Sequence, residues 1–558
     1  MVEVGAEPAS AAAPSPPTVG TWTGLGLALT TGLLFYLGFP GADLWGFSFL
    51  AFAPWAIALR RRGTKQAALQ GLALGVLMGV FGFYWLRDML VTFSGFSPLI
   101  CSFFMLIVCA YQAGRYALMG ALVARGTQKG YPFVPTFLVA FAASEQLWPM
   151  LFPFSFGASL HEVYPLLQVA ELGGPIAVGL LAVAPALALG QFCGAYLDNR
   201  GRGLRFRQLI AVAGPWTLLT LLLTPVLFGV YGVVRMAQVD EAVAKAEKIR
   251  VGIVQANMAL GEKRTDVSEG LRRHTRLTEK LREKHDLDLV VWPETSVAGA
   301  VDEDEAAKYY KARVTGRLHV PAIVGAVLTK PVDDERGNVF FNSALIADRS
   351  GRIKGRYDKQ FLVTFSEYIP FGDQFPVLYE WSPNSGRFSP GKSFEPLQFG
   401  DHKIAVFICY EDIAPSFVNR IMQGGEPVLL VNLTNDAWFG DTSEPWEHMA
   451  LAKLRAVEQR RFLVRSTNSG ISGIVDPVGR MVGQTKTFQQ ATLARDVALL
   501  QLGTGYRLWG DAPFWLASLA SLVMAFVART RFARPGQPPA ETTPTDPSPP
   551  EEPAPEPA

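Results

Sequence analysis

"VFICYED", residues 406–412, sets a single cysteine between an apolar run and a tyrosine followed by two acids. Cys409 is the only cysteine in a long polar stretch, because Cys101, Cys109 and Cys193 all lie in hydrophobic runs. A lone cysteine of this kind is a packing residue, half of a disulfide, or a nucleophile. What surrounds it, and on which side of a membrane, bears on the choice.

Around Cys409, residues 240–506 read as a water-soluble domain in which strand-like and helix-like segments alternate. The strand-like runs include "IRVGIVQAN" (249–257), "LDLVVWPETS" (287–296), "HVPAIVGAVL" (319–328), "NSALIAD" (342–348), "HKIAVFICYED" (402–412), "EPVLLVNLTND" (426–436) and "FLVRSTNSGISGIVD" (462–476). Helical stretches such as "PSFVNRIMQGG" and "PWEHMALAKLRAVEQRR" fit between them. Continuous apolar strands separated by helices predict an α/β domain with buried sheets. Three runs end on chemically useful groups: Glu294, Cys409, and Asn435 with Asp436. Strand ends in α/β folds converge on one edge, where sites are built.

Upstream the composition changes. From Thr21 to about Met236 the chain is a series of apolar blocks, and one more follows the soluble domain. A bilayer-spanning helix needs roughly 20 apolar residues. Eight blocks qualify as spans, at about 21–39, 44–60, 66–86, 96–123, 132–148, 166–197, 208–235 and 511–530. Lys and Arg crowd the joins after spans 2, 4, 6 and 8 ("RRRGTK", "RGTQK", "RGRGLRFR", "RTRFAR"), while the join after span 3 has only Arg87 and those after spans 1 and 5 have none. By the positive-inside rule both termini are cytoplasmic and the domain between spans 7 and 8 lies outside. That compartment permits disulfides, but Cys409 has no partner cysteine in its domain. The expected organisation is a disordered tail (1–20), seven spanning helices (21–238), an inserted soluble domain (239–506), an eighth span (507–534) and a second disordered tail (535–558). The net charge of +2 gives no reason to invoke nucleic acid.

The stretches "VVWPETS", "YDKQFLVTFSEYIPF" (357–371), "VFICYED" and "VNLTNDAWFGD" (431–441), with the flanking spans, resemble the nitrilase superfamily and, within it, the apolipoprotein N-acyltransferase family. The resemblance implies an αββα sandwich between spans 7 and 8 of an eight-span bundle. It implies a catalytic set of Glu294, Lys359 and Cys409, supported by Glu367, Tyr410, Glu411, Asn342 and Pro370. The family often has a Lys-Trp pair where this chain has Lys263-Arg264, which bears on an aromatic substrate contact and leaves the triad untouched.

The implied reaction moves an acyl chain from a phospholipid to the N-terminal amine of a diacylglyceryl-modified apolipoprotein, through a Cys thioester. The implied location is the inner membrane, multi-pass, with the catalytic domain facing the periplasm. A monomer without metal or other cofactor is expected, since no metal cluster, glycine-rich phosphate loop or nucleotide motif appears. The joins "PMLFPFSFGASL" and "LWGDAPFW" are expected to flank a lateral opening for acyl chains. The alternatives are a membrane-anchored nitrilase-type amidase, a transporter using Glu145 and Glu171 inside its spans, or a Cys–His site built with His402 or His448.

Overall fold

A computed structural model of the chain describes residues 18–259, 267–333, 337–382 and 385–529. Residues 1–17 and 535–558 of the expected tails, residues 530–534 at the end of the expected eighth span, and the Lys263-Arg264 pair lie outside the described residues.

Apolar helices form one half of the molecule. Three of them, Pro98–Gln128, Ala170–Arg202 and Pro215–Lys245, are long and apolar enough to cross a membrane. Thr64–Gly82 and Trp85–Ser94 make a fourth candidate together, bent by 67° at their break. The blocks read as spans 2, 5 and 8 form the shorter apolar helices Trp45–Leu59, Phe133–Leu147 and Ala512–Phe526. The bend has a visible cause. Beyond it, the Trp85 indole N–H donates to Glu447 Oε2 at 3.2 Å and Phe93 stacks on Trp438 at 4.6 Å, so the second limb is drawn against the α/β half. A hydropathy window registers apolar content and cannot see such a break.

The two acids that a transporter would need are already engaged. Glu145 pairs with the buried Arg115 at 2.7 Å. Glu171 pairs with Arg460 of the α/β half at 2.8 Å and with Arg235 at 2.7 Å. Arg460 Nη1 also donates to Gln168 Oε1 at 2.6 Å, which fastens the α/β half to the helix bearing Glu171.

The α/β half contains two sheets. The first has the order β13-β1-β2-β4-β5-β6, with β3 beside β4. Its strands are β1 Lys248–Gln255, β2 Leu289–Val291, β3 Val297–Asp302, β4 Ala322–Pro331, β5 Asn338–Ala347, β6 Ile353–Asp358 and β13 Ala491–Ala498. The second runs β12-β11-β10-β9-β8-β7, from Met481–Gln484 (β12), Gly473–Val475 (β11), Leu463–Thr467 (β10), Leu429–Thr434 (β9), His402–Ile408 (β8) and Leu397–Phe399 (β7). The sheets meet face to face, β1 against β10 and β5 against β8. Helices Val267–Arg282 and Glu303–Arg313 cover the first sheet, and Pro415–Gln423 and Glu444–Gln459 contact the second. This four-layer packing explains the uninterrupted apolar runs: β9 is buried at every position because both of its faces are covered. Strands β8, β9 and β10 are parallel, as are β1, β2 and β4, so chemically useful residues leave each set at one edge.

Removing one member of a buried ion pair leaves the other charge without compensation, at a cost of about 3–5 kcal/mol. Glu171→Ala should therefore lower the thermal unfolding midpoint of the detergent-solubilised protein by several degrees, while Lys245→Ala, at an exposed helix end, should leave it unchanged. Equal midpoints for the two variants would contradict a fixed junction at Glu171.

Candidate active site

The turn after β2 carries Glu294. Gly325 of the adjacent strand β4 allows this turn to lie close to the sheet, because a Cβ there would stand 2.3 Å from Pro293 O and 2.8 Å from Glu294 Cα. Lys359 is the first residue after β6, and its N–H donates to the carbonyl of Asn342 on β5 at 2.8 Å. Its ammonium lies 2.7 Å from Glu367 Oε2 and 3.4 Å from Glu294 Oε1. The Asn342 side-chain amide donates to Glu294 Oε1 at 2.6 Å and to Glu367 Oε1 at 2.8 Å. Two carboxylates that would repel each other are thus held together by one ammonium and one amide. Glu367 Oε2 also accepts the Val363 N–H at 2.9 Å, so both of its oxygens are engaged.

Cys409 follows β8 in a left-handed conformation, φ +54°. For a residue with a side chain this costs on the order of 1–3 kcal/mol and persists only where the surroundings impose it. Two contacts do so. Glu411 Oε2 accepts the Ile408 N–H at 2.8 Å, and the Asn432 side-chain amide donates to the Cys409 carbonyl at 3.0 Å. The sharp turn directs the thiol out of the strand edge, where it feels Lys359, Glu294 and Glu367.

Burial pushes the Cys409 thiol well above its usual pKa. The Lys359 ammonium pulls it down, and Glu294, Asp436 and Glu367 push it up. For Lys359 burial acts to lower the pKa, but Glu367, Glu294 and Cys409 together hold the ammonium well above its normal range. Two carboxylates and one ammonium leave a net charge of −1, so the resting thiol keeps its proton. Transfer of that proton to Glu294 leaves the local charge unchanged and creates the thiolate beside a cation.

Glu411 connects the two halves of the site. Its Oε1 accepts N–H groups of Gln360 at 2.6 Å and Phe361 at 3.1 Å, directly after Lys359. Its Oε2 accepts the Tyr357 hydroxyl at 2.9 Å besides Ile408 N–H. Burial raises this carboxyl to about 7, against the backbone donors and Lys359, which hold it down.

Behind Cys409, Arg465 contacts Asp412 Oδ2 at 2.9 Å, Asn432 Oδ1 at 3.1 Å and Asp436 Oδ2 at 3.3 Å. His448 Nε2 lies 2.9 Å from Asp412 Oδ1, and its ring stacks on Tyr410 at 4.6 Å. Burial and Arg465 act to lower the His448 pKa, but Asp412 and Asp436 overcome them and raise it to about 10. A protonated His448 is a structural cation, which removes it as a base. His402 stands at the opposite end of β8 beside Glu247. Asp436, Glu444 and His448 bring ligand-type atoms within 4.8 Å of one another. Arg465 pairs with Asp412 and Asp436, His448 lies beside Asp412, Asp436 and Glu444, and burial raises the Glu444 carboxyl to about 7.

Asn432 and Arg465 are not singled out by the sequence as site residues. The available signal was one polar side chain in each of the apolar strands "LLVNLT" and "LVRST", since a buried polar group requires a partner.

A cavity of about 800 Å³ opens beside the cluster. Residues 150–153, from the join "PMLFPFSFGASL", form one wall, and Gln360, Phe361 and Tyr410 bring it next to Lys359 and Cys409 in the chain. Cys409 is 6% exposed and does not line the cavity. An aromatic series joins the halves here: Phe152 meets Trp85 at 5.7 Å, Trp85 meets Phe439 at 5.1 Å, and Phe439 meets Tyr410 at 5.7 Å. The second join, "LWGDAPFW", does not line this cavity; Trp509 instead donates to Leu172 O at 2.7 Å.

The two-sheet α/β half corresponds to the Carbon-nitrogen hydrolase family, whose model matches residues 250–504. Residues 31–188 match the apolipoprotein N-acyltransferase N-terminal domain. Apolipoprotein N-acyltransferase of Geobacter metallireducens is 30% identical, over 90% of this chain and 95% of its own length. The Pseudomonas putida enzyme of the same name is 29% identical, over 90% of this chain and 96% of its own. A carbon-nitrogen hydrolase structure from Helicobacter pylori superposes with a TM-score of 0.35 at 17% identity, covering 48% of this chain and 94% of that one. The chain belongs to the apolipoprotein N-acyltransferase family.

Two outcomes test the geometry. Gly325→Ala should displace the Glu294 turn and cut activity at least ~10-fold with the fold intact by circular dichroism, given that small misplacements of catalytic groups cost up to about 10²-fold. Lys359→Met removes the charge that lowers the thiol pKa, so the pH profile of Cys409 alkylation should move to higher pH. An unchanged profile would show that the ammonium does not act on the thiol.

Proposed function

We propose that the enzyme transfers a fatty acyl chain from a phospholipid to the α-amino group of the diacylglyceryl-cysteine at an apolipoprotein N-terminus, by two half-reactions at Cys409. The observation that carries this reading is the Glu294–Lys359–Glu367 cluster bearing on a buried cysteine, beside a cavity that the apolar-helix half helps to wall.

In the first half-reaction Glu294 takes the Cys409 thiol proton and the sulfur attacks the ester carbonyl of the phospholipid. The oxyanion of the tetrahedral intermediate faces Lys359, with the Tyr410 backbone N–H as second donor. The carbon–oxygen bond breaks, and the departing lysophospholipid alkoxide receives the proton held by Glu294. In the second half-reaction the apolipoprotein amine attacks the thioester, Glu294 accepts its proton, and the thiolate departs to regain that proton. Asn342 and Glu367 hold Glu294 and Lys359 in register, while Glu411 fixes Lys359 relative to Cys409. An amidase would use water in place of the amine. The apolar wall contributed by residues 150–153 favours a lipid instead.

The membrane arrangement belongs to the same proposal. The apolar blocks make eight passes, with short or bent helices among them, in the inner membrane. The α/β domain projects between the seventh and eighth passes into the periplasm, and both tails remain in the cytoplasm. The basic joins support this orientation.

Single-turnover labelling with a fluorescent phospholipid, followed by addition of a diacylglyceryl-cysteine peptide, tests the reaction. Cys409→Ala should form neither labelled protein nor labelled peptide. Glu294→Gln should slow protein labelling by ~10²–10⁴-fold, the usual contribution of a positioned base. Product formation by Cys409→Ala at the wild-type rate would overturn the scheme. For orientation, reporter fusions after Gln238 and at Ala540 should give opposite readings, and matching readings would contradict the topology.

A further inference from the structure

Among the described residues, two charged side chains line the cavity beside Tyr410: Asp373 and Arg387. They behave unlike the cations around the catalytic cluster. Lys359, Arg356 and Arg465 each hold a carboxylate. Arg387 makes no ion pair among the described residues, and its guanidinium lies 4.1 Å above the ring of Tyr379. The ring leaves the donor edge of the guanidinium available to a ligand.

The mounting is firm. Tyr379 Oη accepts the Ile369 N–H at 3.4 Å. On either side of Arg387, the Gly386 N–H donates to Ser366 O at 2.7 Å and the Phe388 N–H donates to Glu367 O at 3.0 Å. The backbone that presents Arg387 is therefore bonded to the segment that presents Glu367 to Lys359. A guanidinium in this setting matches a phosphate oxygen pair in charge and geometry. Apolar groups, among them Leu151, Phe152, Leu362, Val363 and Phe388, line part of the cavity beside the polar Asn338, Gln360, Thr364 and Ser389, and they suit acyl chains. An anion that arrives attached to acyl chains is the phosphodiester of a glycerophospholipid.

We propose that Arg387, stacked on Tyr379, binds the phosphodiester of the acyl donor and so selects donors that carry a phosphate, a role that rests on the acyl-transfer reading above. It holds the headgroup at a fixed offset from Cys409. Asp373, the other charged lining residue, discourages an anion from binding on its own side. Arg387 takes no part in proton transfer.

The test compares two donors with the full-length enzyme in detergent micelles, scored as acyl group bound to Cys409. One is a fluorescent diacyl phospholipid. The other is a long-chain p-nitrophenyl ester, which offers an acyl carbonyl and no phosphate. Arg387→Ala should raise the apparent KM for the phospholipid by about 10–100-fold, the loss of one charge-assisted contact. Arg387→Glu should raise it further, and Arg387→Lys should recover part of the loss. Labelling by the ester should stay within about twofold of wild type in all three, which also reports an intact fold and nucleophile. An unchanged phospholipid KM in Arg387→Ala would overturn the proposal, as would equal losses with both donors. Wild-type enzyme that accepted acyl groups only from the ester would refute the acyl-transfer reading itself, a distinct result.

Discussion

The carboxylate of Glu411 accepts four hydrogen bonds inside the protein, from Ile408, Gln360, Phe361 and the Tyr357 hydroxyl, and so ties the strand that ends at Cys409 to the loop that begins at Lys359. These segments belong to different sheets, and the ammonium acts on the thiol only if their separation is fixed. A buried acid is costly unless its acceptors are filled, and here each oxygen receives two donors. The same bonds bear on the strained backbone at Cys409, because Ile408 N–H is the last donor before the left-handed turn. The placement of Cys409 relative to Lys359 is therefore set by the closure of the two-sheet sandwich.

A second constraint acts between the halves of the molecule. The bend between Thr64–Gly82 and Trp85–Ser94 delivers Trp85 and Phe93 to the α/β domain, and the contacts of Trp85 continue through Phe439 to Tyr410 beside the nucleophile. Arg460 and Glu171 close the junction elsewhere. The apolar helices thus help to shape the space next to Cys409, which a plain anchor would not require. This is the physical ground for reading the substrate as a lipid.

Much of this was legible in the chain before any coordinates. Apolar runs ending on Glu294 and Cys409 announced parallel strands with useful residues at one edge, because burial on both faces removes alternation and leaves polar groups mainly at the ends. The clustering of Lys359, Glu367 and Asn342 was reached by resemblance, since Lys354 and Arg356 compete with Lys359 on composition alone. Other features stayed hidden. Gly325 matters because a Cβ there would stand 2.3 Å from Pro293 O, a constraint that no local pattern encodes. Asn432 and Arg465 take their roles from pairing between β8, β9 and β10, which is non-local. The break after Gly82 and the shortness of Phe133–Leu147 and Ala512–Phe526 escaped the hydropathy reading, which sums apolar character without registering where tertiary contacts turn the chain.

The central claim is that Cys409 carries the acyl group between two lipids. It is tested most directly by mass spectrometry of the peptide containing Cys409 after incubation of the enzyme with phospholipid alone. The account predicts that this peptide gains the mass of one fatty acyl chain through a hydroxylamine-labile thioester, and that a diacylglyceryl-cysteine peptide discharges it. Transfer of the acyl chain to the peptide amine with Cys409 never acylated would contradict the account.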